Sequence, residues 1–226
     1  MDIRKETQLN VKVDARKDTQ LNVKVDTRNN TQKDDISHNI IKFGKYDWRV
    51  LEIQGGKALL LADKVTHVKM PFNNTCTGVT WKTCSLRKWL NNEFLTQEFT
   101  PQEQEQIALT TIQNENNQWY RTEGGEITKD KIFLLSLSEV VTYFGDSGQL
   151  KVRPNNSISY IDDNYNKSRI ANSISKRSEA WWWLRTPGIS NHASFVKYDG
   201  LLLVHGYRVD NNNKRGGVRP ALVVNL

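Results

Sequence analysis

Three consecutive tryptophans, Trp181, Trp182 and Trp183, open a C-terminal stretch in which strand signals follow one another closely. Ala193 to Lys197 is apolar-rich, Tyr198-Asp199-Gly200 supplies turn residues, and Leu201 to Val204 returns as a second apolar run. Two such runs around a glycine-containing turn predict a β-hairpin. Tyr207 to Asp210 reads as a further strand, Asn211 to Gly217 as a tight polar turn, and Val218 to Val224 as a closing strand. A chain that ends this way has to build an antiparallel sheet, and its earlier part has to supply partner strands and a cover.

The earlier part does both. Tyr46 to Ile53 and Lys57 to Ala62 flank Gly55-Gly56, a second hairpin signal. Ser85 to Phe94 places Leu86, Trp89, Leu90 and Phe94 on one helical face. Thr100-Pro101-Gln102-Glu103 is a capping box with proline at the first helical position, so a helix is expected from Pro101 to about Leu109. Lys131 to Leu135 reads as a buried strand, and Ser136 with Glu139 caps a short helix ended by Gly145. Residues 146–166 read as long loop, and Ala171 to Ile174 as a helical turn. Strands, two helices, long loops and strands again make an α+β pattern.

Ahead of this lies a tandem repeat, RKETQLNVKVD at 4–14 and RKDTQLNVKVD at 16–26, with a partial third copy from Arg28. Its period of 12 suits one strand plus a turn. Leu9, Val11, Val13 and Leu21, Val23, Val25 alternate as half-buried strands do. Two strands with so few apolar residues cannot make a core alone. Residues 1–35 are therefore read as a stem suited to homo-oligomerisation or attachment, and 36–226 as the main domain.

No apolar run long enough to span a membrane occurs, and the first residues lack a signal-peptide core, which points to a cytoplasmic or particle-associated protein. Two cysteines, Cys76 and Cys84, without neighbouring His or Cys do not make a zinc site and are expected as free thiols. Net charge is +7, and all of the excess falls in residues 151–226, which hold 12 basic and 5 acidic side chains. Such a surplus can attract nucleic acid.

Four segments carry a family resemblance: FGKYDWRVLEI at 43–53, SLRKWLNNEF at 85–94, WWLRTPG at 182–188 and GGVRPALVV at 216–224. They resemble an uncharacterised bacterial domain family with a C-type-lectin-like fold. That family is related to formylglycine-generating enzymes and to the variable proteins, in bacteria or phage, of diversity-generating retroelements. The resemblance implies paired terminal strands, two helices on one side, and a loop-rich ligand face built by C-terminal residues. It places the frame at Trp182, Trp183, Arg185, Pro187, Arg219 and Pro220. The two arginines are read as ties for loop carbonyls or a carboxylate, with anion binding as the alternative.

The face implied comprises Trp181, Asn191, His192, Ser194, Tyr198, Asp199, His205, Tyr207, Asp210, Asn211, Asn212 and Asn213. Trp181 is expected to be the more exposed of the three tryptophans. Tyr and Trp with Asn, Ser and His make a composition suited to recognition of a protein or glycan. Neither Asp162-Asp163-Asn164 nor the 210–213 run has calcium-loop spacing, and no cofactor or metal is expected. No nucleophile-elbow, zinc-protease or phosphate-loop motif is present, and the enzyme relatives' late cysteine pair has no counterpart, so no catalytic residue is assigned. A non-enzymatic ligand-binding protein is the expectation. The alternative is a nucleic-acid-binding regulator using the basic C-terminal third and the TQLNVKVD strands, which resemble the strand of ribbon-helix-helix proteins.

Overall fold

The computed structural model describes residues 10–13, 23–26, 39–175, 178–213 and 215–226, with the backbone alone at 10–13 and 23–26. Two short strands, β1 (Asn10–Val13) and β2 (Val23–Asp26), pair antiparallel with Val11 opposite Val25 and Val13 opposite Val23. The two repeat copies therefore pair with each other. Leu9, Leu21, the third copy and the end of the stem at 29–35, a polar segment read as a linker to the main domain, lie outside the described residues.

The main domain starts with β3 (Ile40–Phe43), β4 (Tyr46–Gln54) and β5 (Lys57–Ala62). Gly55 and Gly56 both take positive φ, 57° and 71°, as a two-residue type I′ turn requires. After β6 (His67–Val68) and a loop comes a helical path: α1 (Ser85–Trp89), a π-helical turn (Leu90–Phe94) and α2 (Leu95–Glu98). The path runs four residues past the expected end at Phe94. Asn91 anchors it, accepting from the Lys131 and Ile132 N–H groups and donating to the Ile132 carbonyl.

The capping box at Thr100 and Glu103 is present, but α3 (Pro101–Gln106) stops short of Leu109. Ile107 bridges to Val224, and Ala108 N–H donates to the Val223 carbonyl. Both residues are buried against the sheet edge, and this tertiary pairing overrides the helical propensity. Next come β7 (Thr110–Ile112), β8 (Thr128–Asp130), β9 (Ile132–Phe133) and α4 (Leu137–Phe144), which carries the second capping box. Then β10 (Tyr160–Ile161) and α5 (Asn166–Arg169) precede β11 (Ala171–Asn172). The helical turn expected at Ala171 to Ile174 is thus strand, because Ala171 and Asn172 pair with Ala180 and Glu179.

The C-terminal strands are β12 (Glu179–Pro187), β13 (His192–Val196), β14 (Leu202–Arg208), β15 (Gly216–Val218) and β16 (Ala221–Asn225). Tyr207 and Arg208 end β14 rather than starting a separate strand. The closing strand also divides. Pro220 has no N–H to give a ladder, and the chain changes sheets there. One sheet has the order β10-β14-β13-β12-β15-β6, with β11 on β12; the other runs β3-β4-β5-β16-β9. Among the described strands of these two sheets, all pairings are antiparallel except β12 with β15. The described domain is therefore α+β with mainly antiparallel sheets. Its N-terminal hairpin and C-terminal strand share one sheet, through β5 and β16.

The core lies around Trp48, Leu60, Leu222, Trp182 and Leu184, with Phe144 of α4 packed 6.3 Å from Trp182. Arg219 crosses it fully buried. Its Nε and Nη2 donate to the Ala62 and Asp63 carbonyls, and its guanidinium lies 4.9 Å from Trp182 and 5.7 Å from Phe144. Burial, reinforced by nearby Arg49, pushes its pKa below the usual guanidinium range.

Candidate functional site

Trp181, Trp182 and Trp183 are all buried. The expectation of an exposed Trp181 is corrected: it is 7% exposed, edge-on to Trp183 at 4.8 Å and to Phe195 at 5.6 Å. Strand β12 is paired on both edges and covered on both faces, so in-out alternation does not apply to it. The aromatic contacts continue from Phe195 to Tyr207, 5.7 Å apart. Tyr207, 45% exposed, is where this otherwise buried row reaches solvent.

Polar residues gather round that end. His192 lies opposite Arg208, and Ala193 opposite Tyr207. Val209 N–H donates to the Asn191 carbonyl, and Asn73 N–H to the Val209 carbonyl, which brings the 73–77 loop alongside. Asn191 Nδ2 donates to Cys76 Sγ at 2.8 Å. Arg208 forms an exposed pair with Asp210 at 2.8 Å, and its hydrogen bond and charge hold the Asp210 carboxyl below its ordinary range. Side-chain-capped turns follow: Asn211 Oδ1 accepts from Asn213 N–H, and Asn213 Oδ1 from Arg215 N–H. Ile189 and Asn212 are exposed beside them. Ser190 adopts a left-handed conformation, φ 54°.

The expected face therefore divides. Asn191, His192, Tyr207, Asp210, Asn211, Asn212 and Asn213 belong to one end of the C-terminal sheet or to the loop leaving it. Tyr198 and Asp199 sit at the β13–β14 tip, about 20 Å away at the usual rise per strand residue. There Lys197 pairs with Asp199 at 2.7 Å and lies over the Tyr198 ring at 4.9 Å. A hairpin puts its turn and its open end at opposite ends of the sheet.

Ser194 is corrected as well. It is fully buried, and its hydroxyl donates to the Pro187 and Val204 carbonyls, filling the bulge between β13 and β14. His205 is half-buried in the same bulge. Its N–H donates to the Ser159 carbonyl, and its own carbonyl accepts from Ile189 N–H. It supports the site more than it displays a side chain.

The frame arginines are internal. Arg185 forms a two-pronged pair with Glu139 and donates to the Leu134 and Gln113 carbonyls. Arg169, which carried no sequence signal, is fully buried and paired with Asp163 at 2.9 Å. Arg153 donates to the Asn156 and Ile158 carbonyls and lies over Trp119. With Arg169, Arg185, Arg219 and the paired Lys197 and Arg208, at least six of the twelve C-terminal cations therefore have protein partners among the described residues. Sequence reasoning also missed Asn117, which lies in a polar loop with no pattern around it. It is 1% exposed and donates to the Pro187 and Val204 carbonyls at 2.7 and 2.8 Å.

Cys76 and Cys84 are free thiols, and burial pushes the Cys84 pKa up to about 12. Among the described residues no cluster of three or more His, Cys, Asp or Glu is placed to hold a metal. Nor is any described helix long and apolar enough to cross a membrane.

Residues 55–226, from the turn of the first hairpin to the C-terminus, match the family described as a domain of unknown function, DUF6273. No curated protein and no solved structure matches the chain.

Proposed function

We propose, from the premise that the chain belongs to the DUF6273 family, that it is a non-catalytic recognition protein with a C-type-lectin-like frame. Its contact surface is the open end of the C-terminal sheet: Asn191, His192, Tyr207, Asp210 and the 211–213 loop. The ligand class is a protein or glycan surface. The observation that carries this reading is Tyr207, a solvent-facing ring braced from behind by the buried row Phe195, Trp183 and Trp181. A ring held this way offers contact area with little side-chain entropy to lose, and the surrounding Asn and His supply adaptable hydrogen bonds.

Residues of this type, gathered on loops over a rigid frame, are also what a diversified target protein of a retroelement would vary. A reverse transcriptase and a near-identical template repeat beside the gene would support that, and a locus without them removes it. The β1–β2 hairpin is proposed as the tether or oligomerisation element. Nucleic acid is the second-ranked ligand, because at least six of the C-terminal cations already have protein partners.

Protein and glycan arrays probed with the purified chain test the reading. Binding should fall at least about tenfold in Tyr207→Ala, as expected for an aromatic anchor, and persist in Tyr198→Ala at the opposite end. Equal loss in both variants, no binding on either array, or salt-sensitive DNA binding as the only interaction would overturn it.

A further inference from the structure

Trp89 does not behave as its place in the helical pattern implies. Leu86, Leu90 and Phe94 are buried, whereas Trp89 is only half-buried. Its ring is held edge-on by His67 at 5.0 Å and packs against Phe94 at 5.3 Å. The indole N–H groups of Trp48, Trp81, Trp119, Trp182 and Trp183 all donate to protein acceptors. Those of Trp89 and Trp181 have no acceptor among the described residues, but Trp181 is 7% exposed within the aromatic row, whereas Trp89 is only half-buried.

Trp89 lines a cavity of about 250 Å³ between the helical path and the segment around Met70 and Pro71. Ser85, Lys88, Trp89 and Asn92 follow one another at helical spacing along its wall, and Asn74 and Glu93 complete the polar lining. The π-helical turn begins directly after Trp89, and such turns recur at functional sites.

The polar groups have hydrogen-bonding capacity left over. Ser85 Oγ accepts from Asn74 N–H and keeps its own proton to donate. Asn92 uses its Nδ2 on the Lys88 carbonyl, which leaves Oδ1 open. The Asn74 side-chain amide makes no hydrogen bond among the described residues. Lys88 and Glu93 balance in charge, so the cavity favours neither a phosphate nor a cation.

We propose that this cavity binds one neutral sugar ring. A pyranose offers C–H groups to the Trp89 ring and hydroxyls that both donate and accept, which matches an amide, an open amide oxygen, a serine hydroxyl and a free indole N–H. The volume lies below the ~300–1,000 Å³ of pockets for drug-sized ligands, which suits a single ring rather than an oligosaccharide or peptide segment. Its lining shares no residue with the Tyr207 contact surface, although Asn74 belongs to the 73–77 loop that runs alongside that end.

The test is a titration of the full chain with glucose, galactose, mannose and N-acetylglucosamine. Proton–nitrogen NMR follows the Trp89 indole signal, identified by its disappearance in Trp89→Phe. At least one sugar should shift that signal saturably. By ligand-observed saturation transfer, Asn92→Ala and Trp89→Phe should each bind about three- to tenfold more weakly, the loss of one hydrogen bond, with Tyr207→Ala unchanged. Asn92 is exposed, so its variant keeps the fold. No saturable shift at up to about 50 mM sugar, far beyond a ~1 mM dissociation constant, overturns the proposal. Undiminished binding in both variants overturns it equally, whatever happens at Tyr207.

Discussion

Alanine at Asn117 and at Ser194, singly and together, should reveal strong non-additivity. Asn117 Nδ2 and Ser194 Oγ donate to the same two acceptors, the carbonyls of Pro187 and Val204. Asn117 Oδ1 in addition accepts from the N–H groups of Trp119 and Tyr120. Removing Ser194 Oγ leaves both carbonyls bonded to Asn117 and should cost about 0.5–1 kcal/mol. Removing the Asn117 amide leaves the two carbonyls to share the single Ser194 hydroxyl proton and strands two loop N–H groups. At about 1–2 kcal/mol for each, the loss is about 2–4 kcal/mol. Only the double variant strands both buried carbonyls, so its loss should exceed the sum of the singles by about 1–3 kcal/mol. Urea unfolding measures this as shifts of the midpoint at constant m-value. Additivity within about 0.5 kcal/mol would refute the shared-acceptor account.

Gly200→Ala should destabilise by about 3 kcal/mol or more, measurable by urea unfolding, because φ there is 85° and a Cβ would stand 1.9 Å from the Asn166 carbonyl oxygen. Arg219→Lys should cost about 2–4 kcal/mol by the same assay, since a lysine cannot keep both carbonyl bonds and the flat contact with Trp182. Burial lowers the His67 pKa against the opposing pull of Glu98, so the folded state stays neutral where the unfolded chain protonates. The unfolded state then binds more protons, and stability should fall as pH drops below about 6.5, levelling off under the folded pKa. Thermal unfolding of His67→Gln should lack that part of the acid sensitivity, and a pH-independent difference from the unaltered chain would contradict the assignment.

Local chemistry made several elements legible before any tertiary contact was known. Gly55-Gly56 specified a tight hairpin by its backbone freedom. Thr100 with Glu103 and Ser136 with Glu139 marked helix starts by their reciprocal bonds. The same local reasoning failed where partners are distant in sequence. Ile107 and Ala108 leave the helix for a sheet edge more than a hundred residues downstream. Ala171 and Asn172 become strand because β12 lies beside them. Within the candidate face, residue type announced polarity but not position, so Ser194 and Trp181 read as display residues although one fills a bulge and the other a sheet interior.

By itself the sequence determined the α+β composition, the strand-turn-strand character of the C-terminal stretch and the wealth of Asn, Tyr and His near its end. Those properties reside in neighbouring residues: turn conformations, caps and alternation. The tertiary structure alone decided that Tyr198 and Tyr207 face opposite ends, that β12 is covered on both sides, and that Pro220 passes the chain from one sheet to the other. It also decided that Arg169, Arg185 and Arg219 are internal ties. Burial and shared acceptors depend on which segments meet, and segments far apart in the chain meet only once the sheets have closed on one core.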